Sequence, residues 1–600
     1  MKKILLITLL LNVVAAALSF GQIAAWRSKT SPEILAVLDK GEKADVLLVF
    51  REQADLSGAK NLKTKSEKAH FVYNRLMETA ARSQAGALRI LKEKNAFVNS
   101  LYLVNAVAVG KADAVLVKQL AELHEVKWVG ADPWVKFPGP MEASSALSAL
   151  ERGTVEWGVE KIGAPALWAL GLTGQGITVG GADTGYDWVH PALQSHYRGW
   201  TGDSATTNHN YNWHDAIHDY SPLNLDSLGH PYGTNPCGFN APAPCDDNSH
   251  GTHTMGTMTG DDGFGNQIGV APSAKWVGCR NMERGWGQPS TYLECFQWFL
   301  APTDMNSENA NPDKAPHVIN NSWYCADIEG CTDLTISDLL RVAIVNLKAS
   351  GVVVVVSNGN DGWLGCGGTN NPPAYFEESF SVGATQFNDT IAQFSSLGPV
   401  LIDGSGRQKP NVSAPGQNVR SSTPNGNYSN FSGTSMAGPH VVGLVALVLS
   451  ARPDLAGQVE LIEQFIEETA VPKFGWQDCA DNGGQAYPNS TYGYGRVDAL
   501  DAVNAALAYQ PTSAPEAPAP VAQVFPNPVA DEAIFDLQSP AGMTIILEIF
   551  NADGKLVFSK NWTAQNRELV PVSLKKQPTG VYFWQIKTES GTASGKLVKE

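Results

Sequence analysis

Residues Val352 to Val356 are five consecutive valines, and the sequence continues Ser357-Asn358-Gly359-Asn360-Asp361-Gly362. A strand made only of valines carries apolar side chains on both of its faces, so both faces need apolar cover. That requirement predicts an α/β fold with a mostly parallel sheet between helices. Other short apolar runs in the same region predict further buried strands: Ile177 to Ala182, Trp276 to Cys279 and Val318 to Ile319.

Length and composition limit the class of protein. The chain has 600 residues, which is more than one hydrophobic core usually organises and predicts about three or four domains. Hydrophobic residues make up 43% of the sequence, which excludes a mostly disordered chain. The formal net charge of −16 argues against a nucleic-acid binder with a basic surface. We therefore expect an acidic, globular protein of several domains that does not bind nucleic acid.

The N-terminus predicts export. Residues 1–21 begin with Met1-Lys2-Lys3, continue with an apolar run to Phe20 and place small residues before Gln22, the pattern of a secretory signal peptide. The alternative, an N-terminal membrane anchor, would need a longer apolar run. No later apolar run reaches membrane length, so we expect no membrane span in the mature form.

The cysteines agree with export. All eight lie between Cys237 and Cys479, as oxidised pairs confined to one exported domain would. Two pairs of close neighbours are predicted to form local bridges, Cys237/Cys245 and Cys325/Cys331. Zinc binding is disfavoured because no CxxC pair or Cys/His ligand spacing occurs.

Shifts in composition divide the rest of the chain. Residues 43–137 are predicted to be a small, highly charged α+β unit in which Leu101 to Val109 is one strand. Residues 138–158, rich in Pro, Ser and Ala at first, are predicted to be an exposed processing segment. The α/β domain then covers 159–508, a Pro/Ala linker covers 509–524, and residues 525–600 are predicted to form a small all-β sandwich, with a hairpin turn at 551–554.

Three segments carry the chemistry. Asp183 ends a predicted buried strand before Thr-Gly, His250 opens a helix of small residues in His-Gly-Thr-His, and Ser435 lies at a helix N-terminus in Gly-Thr-Ser-Met-Ala-Gly-Pro-His. A serine hydroxyl becomes a nucleophile when an imidazole accepts its proton, and a buried carboxylate fixes the tautomer of that imidazole. The transition state needs fixed donors for the developing oxyanion, which a helix N-terminus and the side chain of Asn360 can supply.

Each of these residues alone has an ordinary structural interpretation. An Asp before Thr-Gly is usually a turn residue, Gly-Thr-Ser is usually a helix cap, and a single His or Asn is most often a surface or loop residue. Their joint occurrence, each within a longer specific string, favours acyl transfer. The order Asp183, His250, Ser435 excludes the α/β-hydrolase and chymotrypsin orders and is the order of subtilisin.

With these motifs, residues 159–508 resemble the subtilisin family of serine proteases, and within it the bacillopeptidase F-like group. The resemblance implies that Asp183 orients His250, that His250 is the general base and acid, that Ser435 is the nucleophile and that Asn360 contributes to the oxyanion hole. It also implies a ferredoxin-like, inhibitor-type propeptide in residues 43–137. Residues 525–600, which contain Phe525-Pro-Asn-Pro-Val and Pro578-Thr-Gly-Val-Tyr582, resemble the C-terminal sorting domain of type IX secretion.

The resemblance further implies substrate contacts at Ser322, Trp323, Tyr324 and Gly359, but the sequence departs from the family there. Tyr324 stands where glycine is usual, so it either narrows the primary specificity pocket or, if Cys325 is bridged, points outward. Asn358 replaces a usual alanine and Asp361 follows Asn360. The family's preference for a particular residue before the scissile bond is therefore not transferred to this chain.

Catalysis by these residues requires no cofactor, and no metal ligand is predicted. The sequence leaves open whether a structural calcium ion binds. The family's strong calcium site needs a carboxylate two residues after a His-Pro, where this chain has Ala192 after His190-Pro191. The loop Gly260-Asp261-Asp262-Gly263 could bind a hard cation, but acidic loops are more often simply solvated.

The sequence thus predicts a secreted or cell-surface serine endopeptidase that passes through the periplasm and matures itself by removing its propeptide. Its expected partners are protein or peptide substrates, its own propeptide as inhibitor, and the type IX secretion machinery. A non-catalytic adhesin of the same fold and an esterase are the alternatives. The complete set of Asp183, His250, Asn360 and Ser435 favours the endopeptidase over the adhesin.

Overall fold

The computed structural model of the chain describes residues 26–137, 139, 141–142, 154–225, 229–230, 234–325, 334–475, 477, 479, 485–510, 521–538, 542, 544–563, 565, 567–588 and 591–600. The chain forms two units that divide between Ala508 and Tyr509. The predicted signal peptide, Cys331, and most of the predicted processing segment and linker lie outside the described residues.

The first part of the chain is an antiparallel sheet with helices and a core of its own. Its strands are β1 (Ala44–Phe50), β2 (Val98–Leu101), β3 (Ala106–Ala112) and β4 (Val126–Ala131). Its helices are α1 (Pro32–Leu38), α2 (Lys65–Ser83), α3 (Ala85–Glu93) and α4 (Ala114–Ala121). Strand order β2-β3-β1-β4 and the βαββαβ succession from β1 to β4 are those of a ferredoxin-like unit. Thr64 and Glu67 begin α2 with a reciprocal capping box.

The prediction of a single strand from Leu101 to Val109 is wrong. Leu101 ends β2, a short 3₁₀ turn follows, and β3 begins only at Ala106. Asn105 makes this reversal because its backbone is left-handed (φ 46°), a conformation that Asn adopts more readily than most residues. Its side-chain amide donates to the carbonyl of Glu52 at 2.7 Å, which holds the turn in place.

This first part also contacts the following α/β region through α2. Lys65 Nζ donates to the carbonyl of Ala315 at 3.0 Å. Lys68 Nζ donates to the carbonyl of Gly457 at 2.7 Å. Both contacts join residues far apart in the chain, so they anchor the helix independently of the connecting segment.

The rest of the chain up to Ala508 contains fifteen further strands among the described residues. They are β5 (Val135–Lys136), β6 (Met141–Glu142), β7 (Thr154–Val155), β8 (Thr178–Asp183), β9 (Trp213–Asp215), β10 (Asn266–Gln267), β11 (Lys275–Arg280), β12 (Met282–Glu283), β13 (Trp286–Gly287), β14 (Val318–Asn321), β15 (Val353–Ser357), β16 (Phe380–Thr385), β17 (Val412–Pro415), β18 (Val419–Thr423) and β19 (Asn427–Ser432). Seven of them form one sheet of order β17-β16-β15-β14-β8-β11-β9, and every pair in it is parallel. This confirms the predicted α/β class.

Helices cover both faces of this sheet. They are α5 (Trp157–Lys161), α6 (Ala164–Trp168), α7 (His250–Thr259), α8 (Pro289–Leu300), α9 (Leu334–Ala349), α10 (Thr434–Ala451), α11 (Val459–Glu468) and α12 (Ala499–Ala508). Val354 and Val356 share a core with α8 and α9. Val355 faces α10 instead, since a Cβ added to Gly438 would lie 3.8 Å from its Cγ1. The five valines are thus covered on both sides, as the sequence predicts.

Helix α10 is the one helix in the described part of the chain that is long and apolar enough to span a membrane. It is 89% buried inside the protein, where it packs on β14 to β17. Its apolar composition therefore belongs to a core helix.

The second unit is all β. Its strands are β20 (Val521–Phe525), β21 (Glu532–Gln538), β22 (Thr544–Asn551), β23 (Leu556–Thr563), β24 (Arg567–Ser573), β25 (Gly580–Thr588) and β26 (Gly591–Lys599). They form two antiparallel sheets, β20-β21-β24 and β23-β22-β25-β26. Phe535 of one sheet meets Trp584 of the other edge-on, with ring centroids 5.6 Å apart, within one shared core. This is the predicted sandwich, and β22 and β23 are its predicted hairpin.

Disulfides cross-link the α/β region. The predicted bridge Cys237–Cys245 is present, and two that the spacing did not reveal are Cys279–Cys295 and Cys366–Cys479. Cys325 is disulfide-bonded as well.

The loop that a disulfide closes predicts its contribution to stability. Cys366–Cys479 spans 113 residues and Cys237–Cys245 spans 8. In an inactive Ser435→Ala background, we expect Cys366→Ser with Cys479→Ser to lower the free energy of unfolding by about 4–5 kcal/mol. The pair Cys237→Ser and Cys245→Ser should lower it by about 2–3 kcal/mol, because a short loop restricts the unfolded chain less. Urea unfolding followed by fluorescence measures both, and equal losses would contradict the loop-length explanation.

Candidate active site

Asp183 and His250 form a buried pair at the carboxyl end of β8. Asp183 is the last residue of that strand, His250 is the first residue of α7, and both side chains are inaccessible to solvent. His250 Nδ1 lies 2.7 Å from Asp183 Oδ1, which also accepts the backbone N–H of Thr184 at 2.8 Å. A carboxylate in this position keeps the proton on Nδ1 and leaves Nε2 as the basic nitrogen.

Asp246 accepts hydrogen bonds from the segment that carries Asp183 and from the segment that carries His250. Its Oδ1 accepts the hydroxyl of Thr184, the residue after Asp183, at 2.9 Å. The same carboxylate accepts the backbone N–H of Ser249 at 2.9 Å and of Thr252 at 3.0 Å, on either side of His250. Burial raises the pKa of Asp246, and these hydrogen bonds oppose the rise. One carboxylate therefore fixes the spacing between Asp183 and His250.

Two glycines allow the close approach of the same segments. A Cβ added to Gly185, whose φ is +109°, would lie 1.8 Å from the carbonyl oxygen of Cys245. A Cβ added to Gly251 would lie 2.1 Å from the carbonyl oxygen of Gly185. No larger residue fits at either position without moving the backbone beside Asp183 or His250.

Ser435 lies in the first turn of α10, and α10 packs against α7, the helix that begins at His250. Its hydroxyl donates to the carbonyl of Ser322 at 3.2 Å, and the hydroxyl of Ser322 donates back to the carbonyl of Ser435 at 2.9 Å. Within the described residues, His250 Nε2 has no hydrogen-bond partner. The serine–histidine hydrogen bond that the mechanism requires is therefore not formed here, because the serine hydroxyl donates to Ser322 instead.

Asn360 follows β15 and is oriented by the helix that carries Ser435. Its Oδ1 accepts both the backbone N–H and the hydroxyl of Thr434, each at 2.9 Å. This leaves Nδ2 as the free end of the amide. The position of a Cβ built on Gly433 lies 3.6 Å from both Asn360 Nδ2 and the backbone nitrogen of Ser435. Asn360 Nδ2 and the backbone nitrogen of Ser435 thus lie close to one point beside the serine, and two N–H donors near one point are what an oxyanion hole requires.

The four residues predicted to contact the substrate differ in how accessible they are to solvent. The side chains of Ser322 and Trp323 are fully buried, and Trp323 stacks on Tyr292 with centroids 4.1 Å apart, so neither side chain is open to a ligand. Tyr324 is half-buried. Gly359 adopts φ +100°, and a Cβ there would lie 2.8 Å from Ser396 Oγ.

The end of the first α+β unit reaches this site. Strand β5 pairs antiparallel with β13, so that Lys136 faces Trp286. The ring of Phe137 packs on the imidazole of His250, with centroids 4.6 Å apart, and is 4% exposed. Four residues later β6 pairs antiparallel with β19, where Met141 faces Ser432. This part of the chain therefore contacts His250 through Phe137 and the strand before Ser435 through Met141.

Sequence reasoning missed one contributor to this geometry. Asp246 precedes the His-Gly-Thr-His motif by four residues in a run of polar residues, which is the signal that could have drawn attention to it. For Phe137 the sequence predicts, if residues 43–137 are a propeptide, that the segment from Phe137 to Gly158 is led into the cleft towards Ser435. The packing of the Phe137 ring on His250 is the part of this geometry that the sequence does not specify.

The acidic loop considered for calcium does not fit that ion. Asp262 Oδ1 accepts the backbone N–H of Phe264 at 2.8 Å, and Oδ2 accepts the side-chain amide of Asn266 at 2.6 Å. Asp261 Oδ1 accepts the backbone N–H of Gly263 at 2.8 Å. The carboxylates are used by donors within their own loop, so they are not free to converge on a cation. Within the described residues, no group of three or more His, Cys, Asp or Glu side chains is arranged to hold a metal ion.

Comparisons with known proteins match two parts of the chain. Residues 174–495 match a family model described as "Subtilase family", and residues 523–600 match one described as "Secretion system C-terminal sorting domain". Bacillopeptidase F of Bacillus subtilis (strain 168) is 35% identical over 505 residues, which are 80% of this chain and 32% of that protein. Subtilisin of Bacillus pumilus is 32% identical over 301 residues, 50% of this chain and 86% of that protein. Subtilisin NAT of Bacillus subtilis subsp. natto is 29% identical over 393 residues, 65% of this chain and 82% of that protein. The chain thus spans about a third of the length of bacillopeptidase F and most of the length of the two subtilisins.

The close approach at Gly251 gives a test of the site. We expect Gly251→Ala to slow the reaction of Ser435 with a fluorophosphonate by about 100-fold, because the displaced backbone moves His250 away from Asp183. Gly202→Ala is the control for an added Cβ, since there is open space around the Cβ position of Gly202. Its labelling rate should equal that of the wild type. Unchanged labelling of Gly251→Ala would contradict the assignment of this contact to the site.

Proposed function

The chain belongs to the subtilase family of serine endopeptidases, and from that premise we propose that it is an exported, self-maturing enzyme that hydrolyses peptide bonds of extracellular proteins through an acyl-enzyme. The single observation that carries the proposal is the buried 2.7 Å contact between Asp183 and His250, with Nε2 of His250 left without a hydrogen-bond partner among the residues that the structure describes. An imidazole held in this way is a base whose accepting nitrogen, Nε2, has no proton donor in contact with it in the described part of the chain. Ser435, on the helix packed against that of His250, is the donor we assign.

In the proposed mechanism, Ser435 Oγ attacks the carbonyl carbon of the scissile bond while His250 Nε2 takes the hydroxyl proton. Asp183 stays ionised and stabilises the imidazolium through Nδ1. The proton then passes to the leaving amine, the C–N bond breaks, and the acyl group remains as an ester on Ser435. Water attacks that ester with His250 again as base, which releases the acid and restores the serine.

The oxyanion of both tetrahedral intermediates would lie between Asn360 Nδ2 and the backbone N–H of Ser435. These donors are fixed before the reaction, one by Thr434 and the other by the first turn of α10. Donors that need no reorganisation stabilise the transition state more than the ground state.

We further propose that residues 43–137 are an inhibitory propeptide and that the cut lies in 138–158. The pairing of β5 with β13 and the packing of Phe137 on His250 support this assignment, because together they cover the imidazole with the protein's own chain. The remaining boundaries we assign are a signal peptide at 1–21, the peptidase at 159–508 and a linker at 509–524.

Export is the other part of the proposal. Residues 523–600 carry a secretion system C-terminal sorting domain. We propose that it directs the folded enzyme from the periplasm across the outer membrane by type IX secretion, and that residues 525–600 act separately from catalysis. The independent core of the β-sandwich supports that separation.

Labelling of the processed protein with a fluorophosphonate, followed by mass mapping of the adduct, tests the enzymatic proposal. An adduct on Ser435 is expected. Folded, processed protein that gives no adduct would instead favour a non-catalytic adhesin of the same fold.

Maturation separates the roles of nucleophile and oxyanion donor. Purified Ser435→Ala should stay unprocessed, because no acyl-enzyme can form without the hydroxyl. Asn360→Ala should process about 10²- to 10³-fold more slowly, a magnitude that is known from subtilisin itself, since nucleophile and base remain. The measurement is a time course of band shift and N-terminal sequencing. Normal maturation of purified Ser435→Ala would mean that another protease makes the cut.

Deletion of residues 525–600 tests the export proposal. We expect the truncated protein to accumulate in the periplasm with its peptidase activity intact, because the deleted unit has its own core. Cell fractionation with a peptidase assay on each fraction measures this. Loss of folding or activity on deletion would show that the tail is part of the enzyme.

A further inference from the structure

A cavity of about 770 Å³ lies between the ferredoxin-like part of the chain and the α/β region, which belong to the same unit. Its lining comes on one side from β3 and residues next to it in the ferredoxin-like part, and on the other from residues between Ala216 and Pro222 and from the start of α8. The side chains of Phe97 and Val115 in this lining are 55% and 63% exposed, so the cavity opens to solvent. Its volume falls within the range of about 300–1,000 Å³ that is typical of sites for small molecules.

Asp132 presents a carboxylate to this cavity. The residue follows β4, lines the cavity and is 6% exposed. Its Oδ1 accepts the backbone N–H of Ser290, in the first turn of α8, at 2.9 Å, whereas its Oδ2 accepts no hydrogen bond from the described residues. Burial raises the pKa of Asp132 to about 7 against the hydrogen bonds of Ser290, and the like charge of Asp45 adds to the rise. The ionised form of this carboxyl is therefore poorly compensated.

The lysines that line the cavity do not supply the missing positive charge. Lys111 Nζ is paired with Asp219 Oδ2 at 2.8 Å. Lys43 and Lys94 are exposed, and neither of them acts on the pKa of Asp132. In the described part of the chain, Asp132 is thus a buried carboxylate without a cation, which is unfavourable unless a ligand provides one.

The other buried carboxylate of the cavity is already balanced. Glu294 Oε2 lies 3.0 Å from His218 Nε2, and Oε1 lies 2.7 Å from His214 Nε2. Burial lowers the pKa of His218, but the contact with Glu294 outweighs it and raises that pKa to about 9. Burial raises the pKa of Glu294, and the two histidines lower it to about 2. Glu294 is therefore occupied by its histidines, and Asp132 is the carboxylate left for a ligand.

Aromatic side chains line the same cavity: Phe97, Trp134 and Tyr220. Trp134 and Tyr220 are half-buried, and the ring of Phe97 packs on the imidazole of His218 with centroids 5.6 Å apart. Aromatic faces bury the apolar body of a ligand and attract ammonium groups. The lining thus fits a ligand that has a flat apolar body and one positive charge.

We propose that this cavity binds a small organic amine, with its ammonium group paired with Asp132 Oδ2 and its apolar body against the aromatic side chains. Because the two walls of the cavity come from different parts of the chain, such a ligand also holds these parts together. For the propeptide proposed above, the ligand would prolong latency. That consequence rests on the proposed function, whereas the binding itself does not.

Three indoles of similar shape test the charge of the ligand: tryptamine, the neutral alcohol tryptophol and the anionic indole-3-propionate. Isothermal titration calorimetry on purified, full-length Ser435→Ala measures their binding to an intact chain. We expect tryptamine to bind at least about tenfold more tightly than tryptophol, because a partly desolvated ion pair adds to the same ring contacts. Indole-3-propionate should bind more weakly than either, since it brings a like charge to Asp132.

Variants in the same background locate the site. Asp132→Asn should lower the affinity for tryptamine by about tenfold and leave that for tryptophol unchanged, since the amide oxygen still accepts the N–H of Ser290. Phe97→Ala, a change at an exposed residue, should weaken both ligands by a similar factor. Glu308→Gln is the matched control, because it removes one negative charge from an exposed residue outside the lining, and it should change no affinity. The comparison of the three indoles still decides the proposal if Asp132→Asn fails to fold.

Latency is measured separately on the wild type. Tryptamine should lengthen the lag before peptidase activity appears, and it should not inhibit processed enzyme that has lost the ferredoxin-like part, because only one wall of the cavity then remains. An unchanged lag despite binding would contradict the claim that the ligand holds the two parts together. If Ser435 does not react with a fluorophosphonate, the proposed function fails, and calorimetry still decides whether the amine binds.

Three calorimetric results would overturn the proposal. The first is binding of tryptophol or indole-3-propionate that is as tight as that of tryptamine. The second is the absence of tryptamine binding up to its solubility limit. The third is an affinity for tryptamine that neither Asp132→Asn nor Phe97→Ala lowers.

Discussion

The parallel pairing of β8, β14 and β15 is the constraint on which the site depends. Parallel neighbours end at the same edge of a sheet, so Asp183 at the end of β8, Ser322 just after β14 and Asn360 just after β15 are brought to one edge. The valines of β15 make this pairing favourable only because helices bury both faces of the sheet. The positions of the polar groups at the edge are therefore a consequence of apolar packing beneath them.

The sheet places these polar residues only approximately, and hydrogen bonds then fix their relative positions. Asp246 joins the turn after Asp183 to the start of α7, and the reciprocal serine contacts join β14 to the start of α10. Buried polar groups of this kind are expensive to leave unsatisfied, so each network holds its two segments in one relative position. The glycines at 185 and 251 serve the same end by permitting backbone contact where a side chain would separate the segments.

Much of this was predictable because the deciding features are local. Three of these features can be recognised within a few residues: the valine run, the helix that starts at His250 and the serine at the start of an apolar helix. The structure contains all three. The features that were missed depend on contacts between distant segments. Asn105 reverses the chain where propensity alone favours one strand, and the partners of Cys279 and Cys366 are fixed by the path of the whole chain. The packing of the Phe137 ring on His250 depends on how the ferredoxin-like part of the chain packs on the α/β region.

For the propeptide proposed above, the lysine contacts of α2 imply that scission and activation are separate events. Lys65 and Lys68 bind carbonyls of the α/β region directly, and the ferredoxin-like unit has a core that does not require the connecting chain. Breaking a bond between residues 142 and 154 would therefore leave a two-chain complex in which Phe137 still covers His250. Latency would end only on dissociation, so the lag before activity would shorten on dilution and lengthen when the freed unit is added back.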